Sequence, residues 1–162
     1  MSNCTLTKRL SLYDALDATK EMIRIVDDSI RNCLDLHDFD TNQRVLVTLQ
    51  SNVAELECIF KISELLGIKQ YLLEYTKETP LLCRLETIER KLPQCWVDTS
   101  ITEWPLSREE LSNDLREDHI RVLLDVSKEE YYEETYVGAI FRISVIKLCN
   151  LLKVNWWEYE FE

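Results

Sequence analysis

The most apolar stretch of the chain runs from Ser127 to Val154. Beyond its acidic start the polar side chains thin out to five, which fall within one broad sector of a helix at 100° per residue: Arg142, Ser144, Lys147, Asn150 and Lys153. The rest of the helix circumference is apolar, and such a helix needs neighbours on several sides. Ser127 and Glu130 fit a capping box, which places the helix start just after Ser127. The pattern therefore predicts a central apolar helix over about 128–153.

Five further segments repeat apolar residues in steps of three and four, which is typical of amphipathic helices. They lie near 12–34, 42–66, 68–77, 80–92 and 107–126, the last with a break near Asn113 or Asp118. Their predicted N-terminal signals are Ser11 with Asp14, Asp40 or Thr41, Thr79 with Pro80, and Ser107 with Glu110. Gly67 is expected to end the second helix, with Ile68 making the apolar contact of a Schellman motif. The chain is predicted to be an all-α, single-domain bundle of about six helices.

The second segment has an apolar seam that two different structures would use. Its members alternate in steps of three and four: Leu46, Leu49, Val53, Leu56 and Phe60. Such a seam suits either the core of the same chain or a coiled coil with a second chain. Because it covers only about two heptads, where a coiled coil needs three or four, we expect it to face the chain's own core. A homodimer is therefore not predicted from this seam.

Composition narrows the classes of fold and partner. The 162 residues include two glycines and three prolines, too few for the turns of an all-β fold. With 19 basic and 30 acidic residues the net charge is −11, which disfavours a direct grip on nucleic acid because phosphate binding needs clustered Lys and Arg. The same charge is compatible with a basic protein partner. No stretch approaches the roughly 18–20 uninterrupted apolar residues of a membrane span.

The six cysteines do not form a disulfide or metal pattern. They are Cys4, Cys33, Cys58, Cys83, Cys95 and Cys149, far apart and without a CxxC pair. The N-terminus lacks the continuous apolar core of a signal peptide. We therefore expect reduced, mostly buried thiols and a reducing compartment, the cytosol or the nucleus.

Catalytic and metal-binding patterns are weak. The two histidines, His37 and His119, have no ExxH partner, so the ligand set of a di-metal helical bundle is missing. Two glycines cannot build a phosphate-binding loop. Cys33 and His37 lie four residues apart on one helix face, but nothing marks an oxyanion site. No catalytic residue, metal or cofactor is predicted; the alternative is a small helical enzyme or a ligand- or metal-binding bundle that uses its interior or a Cys/His site.

Two aromatic segments lie outside the helical pattern. Residues 93–105 form a long non-helical stretch with Trp96 and Trp104, which either plug one end of the bundle or form a recognition loop. Residues 155–162 carry an alternation typical of a strand, with the aromatic side chains Trp156, Trp157, Tyr159 and Phe161 between glutamates. This tail either folds back onto the bundle or docks onto another protein in extended form. The expected organisation is a flexible N-terminus over 1–10, a bundle over 11–154 and this aromatic-acidic tail.

An acidic, tyrosine-rich patch lies at the start of the predicted central helix. Its carboxylates are Glu129, Glu130, Glu133 and Glu134, and its tyrosines are Tyr131, Tyr132 and Tyr136. Carboxylates at a helix start complement the helix dipole, but on a surface they also attract a Lys- or Arg-rich segment. The sequence thus favours a non-enzymatic interaction subunit or adaptor. Its expected partner contacts are this acidic patch, Trp96, Trp104 and the tail aromatics Trp156, Trp157, Tyr159 and Phe161.

Overall fold

The computed structural model describes residues 10–36, 43–91 and 114–161, and its elements within these ranges are helical. They are α1 (Leu12–Leu36), α2 (Gln43–Leu65), α3 (Lys69–Lys77), α4 (Leu81–Lys91), α5 (Glu117–Tyr132), α6 (Tyr136–Leu151) and a short 3₁₀ helix, η1 (Trp156–Phe161). The predicted all-α, single-domain bundle is confirmed, with six α-helices in the described ranges. Several predicted features lie outside the described residues: the helix-start signals at Asp40, Thr41 and Ser107, the loop 93–105 and most of the N-terminal segment.

Three helices form the centre of the bundle. α1 and α2 pack side by side, and α6 lies against both of them and against α5. α3 packs on α1 and α2, whereas α4 contacts α1 and α3 at the periphery. Each α-helix contributes fully buried side chains, among them Ile23, Ile30, Leu49, Ile59, Ile62, Leu72, Leu73, Leu81, Ile88, Ile120 and Phe141. None of the helices in these ranges is long and apolar enough to span a membrane.

Two of the helix starts that the sequence marks, at Ser11 and Thr79, are formed as expected. The Ser11 N–H donates to Asp14 Oδ2 at 2.8 Å, and the Asp14 N–H donates back to Ser11 Oγ at 3.2 Å. These two bonds are a capping box with aspartate in the third helical position. At α4, Thr79 Oγ1 accepts the N–H of Leu81 at 3.3 Å. Pairs of residues three or fewer apart make these bonds, so they depend little on the rest of the fold.

Two helices end in Schellman motifs. Gly67 has φ +73°, and the Ile68 N–H donates to the Ser63 carbonyl at 2.9 Å, with Ile68 fully buried. This confirms the predicted end of α2. α6 ends in the same way although its left-handed residue is not glycine: Lys153 has φ +59°, and the Val154 N–H donates to the Cys149 carbonyl at 2.8 Å.

The seam of α2 faces the chain's own core. Leu49, Val53, Leu56 and Phe60 are buried, and Leu46 packs against the same core while remaining partly exposed. The segments just before α1 and α5 are also tied together, since the Leu115 N–H donates to the Leu10 carbonyl at 2.8 Å. The start of α5 at Glu117 agrees with the predicted break near Asp118.

The predicted extent of the central helix, 128–153, is wrong. Residues 128–132 are the end of α5, and a turn then reverses the chain into α6. Glu134 adopts φ +56°, and Thr135 caps α6 by accepting the Gly138 N–H on Oγ1 at 2.9 Å. Ser127 is not a cap: it is fully buried inside α5, and its hydroxyl donates to the Leu124 carbonyl at 3.0 Å.

The tail is a 3₁₀ helix and not a strand. In a 3₁₀ helix side chains three apart lie on the same side, which brings Trp156 and Tyr159 together. Both pack against the core, and η1 lies on α5 and α6. The alternation of aromatic and acidic residues therefore does not describe two faces of a strand. The 3₁₀ helix directs Trp156 and Tyr159 inward, as in the fold-back alternative, and leaves Trp157 exposed.

Candidate interaction surface at the α5–α6 corner

Exposed tyrosines and glutamates meet where α5 ends. We define the corner as Glu129, Tyr131, Tyr132 and Glu133, all of them exposed. Tyr132 is 67% exposed, and its ring centroid lies 6.1 Å from that of Tyr131 with the planes tilted by 58°. Tyrosine combines a large apolar ring with a hydroxyl and is enriched at protein interfaces. The corner therefore presents contact area and negative charge on the same surface.

The backbone beneath the corner is held from three directions. Gly138, in the first turn of α6, is buried and lies directly against the Glu130 carbonyl, where no side chain would fit. The Thr135 cap fixes the start of α6. From α2, the Lys61 ammonium pairs with the Glu130 carboxylate and lies 4.7 Å from the centroid of the Phe141 ring. Rigid presentation of this kind lowers the ordering cost of binding.

Glu130 and Glu134, two of the four predicted acidic residues, occupy other environments. Glu130 is half-buried and joins α5 to α2 through Lys61. Glu134 is exposed at the tip of the turn in the left-handed conformation. The structure thus leaves Glu129 and Glu133 exposed next to the tyrosines in the last turns of α5, gives Glu130 a contact within the bundle, and places Glu134 just before α6.

α6 presents a second exposed surface that the sequence reasoning missed. We define its outer face as Tyr136, Ile140, Ile143, Ile146 and Leu151. Three of these are exposed, Tyr136 by 60%, Ile143 by 52% and Leu151 by 43%, while Ile140 and Ile146 are half-buried. No described element covers the three exposed side chains, whereas Ile140 packs in part against the core. The signal was present in the sequence, because Ile143 and Ile146 fall inside the sector of α6 that also carries Lys147 and Asn150.

The polar residues at the edge of α6 fasten it to its neighbours. Arg142 Nη1 donates to Ser127 Oγ at 3.1 Å and to the Leu124 carbonyl at 3.3 Å, and the guanidinium lies 5.8 Å from the centroid of Trp156. Lys147 Nζ lies 3.0 Å from Glu55 of α2. Arg142 thus links α5, α6 and η1. Lys147 links α6 to α2.

The predicted aromatic contacts occupy different environments. Trp156 is half-buried beneath Arg142, and Tyr159 is half-buried with its ring centroid 5.2 Å from the Arg121 guanidinium. Trp157 is 48% exposed and meets Trp156 edge-on, with centroids 5.9 Å apart. Trp96, Trp104 and the side chain of Phe161 lie outside the described residues. Among the described tail aromatics, Trp157 is the one that offers exposed surface.

The histidine and cysteine residues considered for chemistry have structural environments where they are described. His119 Nδ1 accepts the Arg116 N–H at 3.0 Å at the start of α5. Cys33, Cys58, Cys83 and Cys149 are free thiols, of which Cys58 and Cys149 are buried, Cys33 half-buried and Cys83 exposed. Among the described residues, no group of three His, Cys, Asp or Glu side chains is arranged to hold a metal ion. His37 lies outside the described residues.

Burial controls the chemistry of two of these thiols. Burial raises the pKa of Cys149 to about 12. Burial, with smaller contributions from the Glu57 and Glu130 carboxylates, raises the pKa of Cys58 to about 12 as well. Because the thiolate is the nucleophilic form, these two side chains are unreactive at neutral pH in the folded protein.

The chain matches no protein-family model, no curated protein and no solved structure. The corner and the outer face are therefore the basis for inferring its function.

Proposed function

We propose that this chain is a non-enzymatic protein-interaction subunit of an intracellular complex, and that the corner binds a Lys- or Arg-rich segment of a partner protein. The single observation that supports this most is the joint exposure of Tyr131 and Tyr132 beside the carboxylates of Glu129 and Glu133. Aromatic side chains supply binding energy in such surfaces, while opposite charge gives orientation and association rate. A cytosolic or nuclear location is part of the proposal and is supported by the four free thiols.

The overall charge favours the same class of partner. A net charge of −11 produces a negative potential around the molecule, which steers cationic segments towards it and repels anionic ones. The corner adds local carboxylates to that field on a surface whose backbone is fixed by Gly138 and Lys61. Trp157, exposed elsewhere on the surface, is a further contact residue within this proposal.

The test compares corner variants with a charge-matched control. The wild type, Tyr132→Ala and Glu129→Gln/Glu133→Gln are used to capture proteins from an extract of the native organism, and the captured protein's basic segment is then titrated directly. Glu86→Gln/Glu89→Gln removes the same two charges from exposed positions of α4. We expect each corner variant to raise the Kd at least about tenfold, and the α4 control to leave it nearly unchanged.

Two results would overturn the proposal. One is capture of the same proteins, with equal affinity, by the wild type and both corner variants. The other is a captured segment without Lys or Arg whose binding does not weaken with added salt, since charge steering is screened by salt.

A further inference from the structure

We infer that the outer face of α6 is the interface of an antiparallel homodimer. This goes beyond the proposed function and rests on different residues, since the corner takes no part in it. The outer face carries five apolar side chains along one side of α6, with Lys147 and Asn150 in the same sector, and no other described element covers its exposed members. From Tyr136 to Leu151 it extends for about 22 Å at 1.5 Å per residue.

The spacing along this face follows a helix-packing pattern. Tyr136, Ile140, Ile143, Lys147 and Asn150 recur in steps of four and three, with Ile146 and Leu151 on the flanks. Alternating steps of this kind form the ridge that packs against a second helix at a small crossing angle. Lys147 Nζ already lies 3.0 Å from the Glu55 carboxylate of its own chain, so its charge is paired within the chain.

Charge at the two ends of the face selects a second copy in antiparallel orientation. Glu134, at the N-terminal end, lies nine residues before Ile143, and Lys153, at the C-terminal end, lies ten residues after it. Both are exposed. A twofold axis near Ile143 brings each Glu134 beside the Lys153 of the other copy, and each Tyr136 beside a Leu151. A parallel pair would place Glu134 against Glu134, which is repulsive.

The geometry of the pair is the one that symmetric dimers use. A twofold interface requires a surface that complements itself, and a face with opposite charges at equal distances from its centre satisfies this requirement. The net charge of −11 on each copy opposes association. At about 0.15 M salt that long-range repulsion is screened over roughly 8 Å, whereas apolar burial and close ion pairs act at contact.

Sedimentation velocity over a concentration series tests the inference with a matched pair of variants. Ile143 of α6 and Ile25 of α1 are both 52% exposed. We expect the wild type to dimerise, Ile143→Asp to raise the dimer Kd at least about thirtyfold, and Ile25→Asp to leave it nearly unchanged. Thermal melts followed by circular dichroism verify that both variants are folded.

A charge exchange tests the orientation. Glu134→Lys and Lys153→Glu are each expected to weaken the dimer about threefold to tenfold, because symmetry places two such pairs in each dimer. The double variant, Glu134→Lys/Lys153→Glu, should restore the wild-type Kd. The two residues have nearly equal positive φ, 56° and 59°, so the exchange places each side chain in the backbone conformation of the other.

Four outcomes would overturn the inference. The first is a wild type that remains monomeric at protein concentrations up to about 1 mM, because the dimer Kd would then be too high to be meaningful. A dimer persists in Ile143→Asp or is lost in Ile25→Asp, which places the interface elsewhere. The double charge exchange fails to restore association. The last is a wild type that is monomeric and melts at a higher temperature than Ile143→Asp, which would assign the outer face to a contact within the same chain. None of these results affects binding of a basic segment at the corner, so the two proposals fail separately.

Discussion

Gly138 and Glu130 face each other across the α5–α6 turn so closely that a methyl group on Gly138 would collide with the main-chain carbonyl oxygen of Glu130. The backbone of α6 therefore begins against the last turns of α5. The corner lies on the α5 side of this contact, and the outer face lies on the α6 side. Both proposed surfaces depend on it.

Gly138→Ala tests this contact. Alanine in a helix is about 1 kcal/mol more favourable than glycine, but the clash involves backbone, which no rotamer change relieves. We expect a net loss of about 1–3 kcal/mol in the free energy of unfolding, measured by urea denaturation. Gly67→Ala is the control, since open space surrounds that position and the cost there comes from the positive φ alone. Equal or higher stability of Gly138→Ala would show that the two helices are not held this closely.

The two tail tryptophans are expected to differ in their contribution to stability. Trp156 packs against the core beneath Arg142, whereas Trp157 is 48% exposed. Trp156→Ala should lower the free energy of unfolding by about 1.5–3 kcal/mol, and Trp157→Ala by about 0.5 kcal/mol or less. Denaturant melts of the two variants, side by side, measure this. Equal losses would contradict the inward placement of η1.

The Asp27–Arg84 ion pair is expected to hold α4 on the bundle. Both side chains are largely buried, 13% and 20% exposed, and they join α1 to α4. Arg84→Leu leaves the Asp27 carboxylate without this partner in a largely buried position and should cost about 3 kcal/mol. The double variant Asp27→Leu/Arg84→Leu should recover most of that loss, because no charge is then left buried. A double variant as unstable as Arg84→Leu would show that the pair does not act as a unit.

Alkaline pH should destabilise the fold through Cys149. Burial raises the pKa of its thiol to about 12, whereas an unfolded cysteine has a pKa near 8.5. Between these values the unfolded chain loses a proton that the folded chain keeps, so stability falls as pH rises, by about 1.4 kcal/mol per pH unit above pH 9. Below pH 8 the contribution is constant.

Cys149→Ala provides the comparison for this titration. The variant lacks the thiol, so its unfolding free energy should fall less steeply between pH 9 and 10 than that of the wild type. Urea denaturation at pH 8, 9 and 10 measures the difference, and the other titrating groups are common to both proteins. Parallel pH profiles would mean that Cys149 is accessible to solvent in the folded state.

Local sequence signals predicted those parts of the structure that depend on nearby residues. The capping box at Ser11, the cap at Thr79 and the left-handed end at Gly67 each form through atoms a few residues apart. The tyrosines and glutamates before α6 were recognised as a patch for the same reason, because they are adjacent in sequence. The break at Thr135 was missed because Ser127 and Glu130 match a capping box in sequence, although the structure places Ser127 inside α5.

Residue patterns were enough to establish an acidic, all-helical chain, the caps at Ser11 and Thr79 and the grouping of tyrosines with glutamates near residue 130. The tertiary structure alone decided that α5 and α6 are separate helices, that Trp156 is covered while Trp157 is not, and that Ile143 is exposed. The physical reason is that periodicity records how apolar a helix face is, whereas exposure depends on whether a distant part of the chain lies against that face.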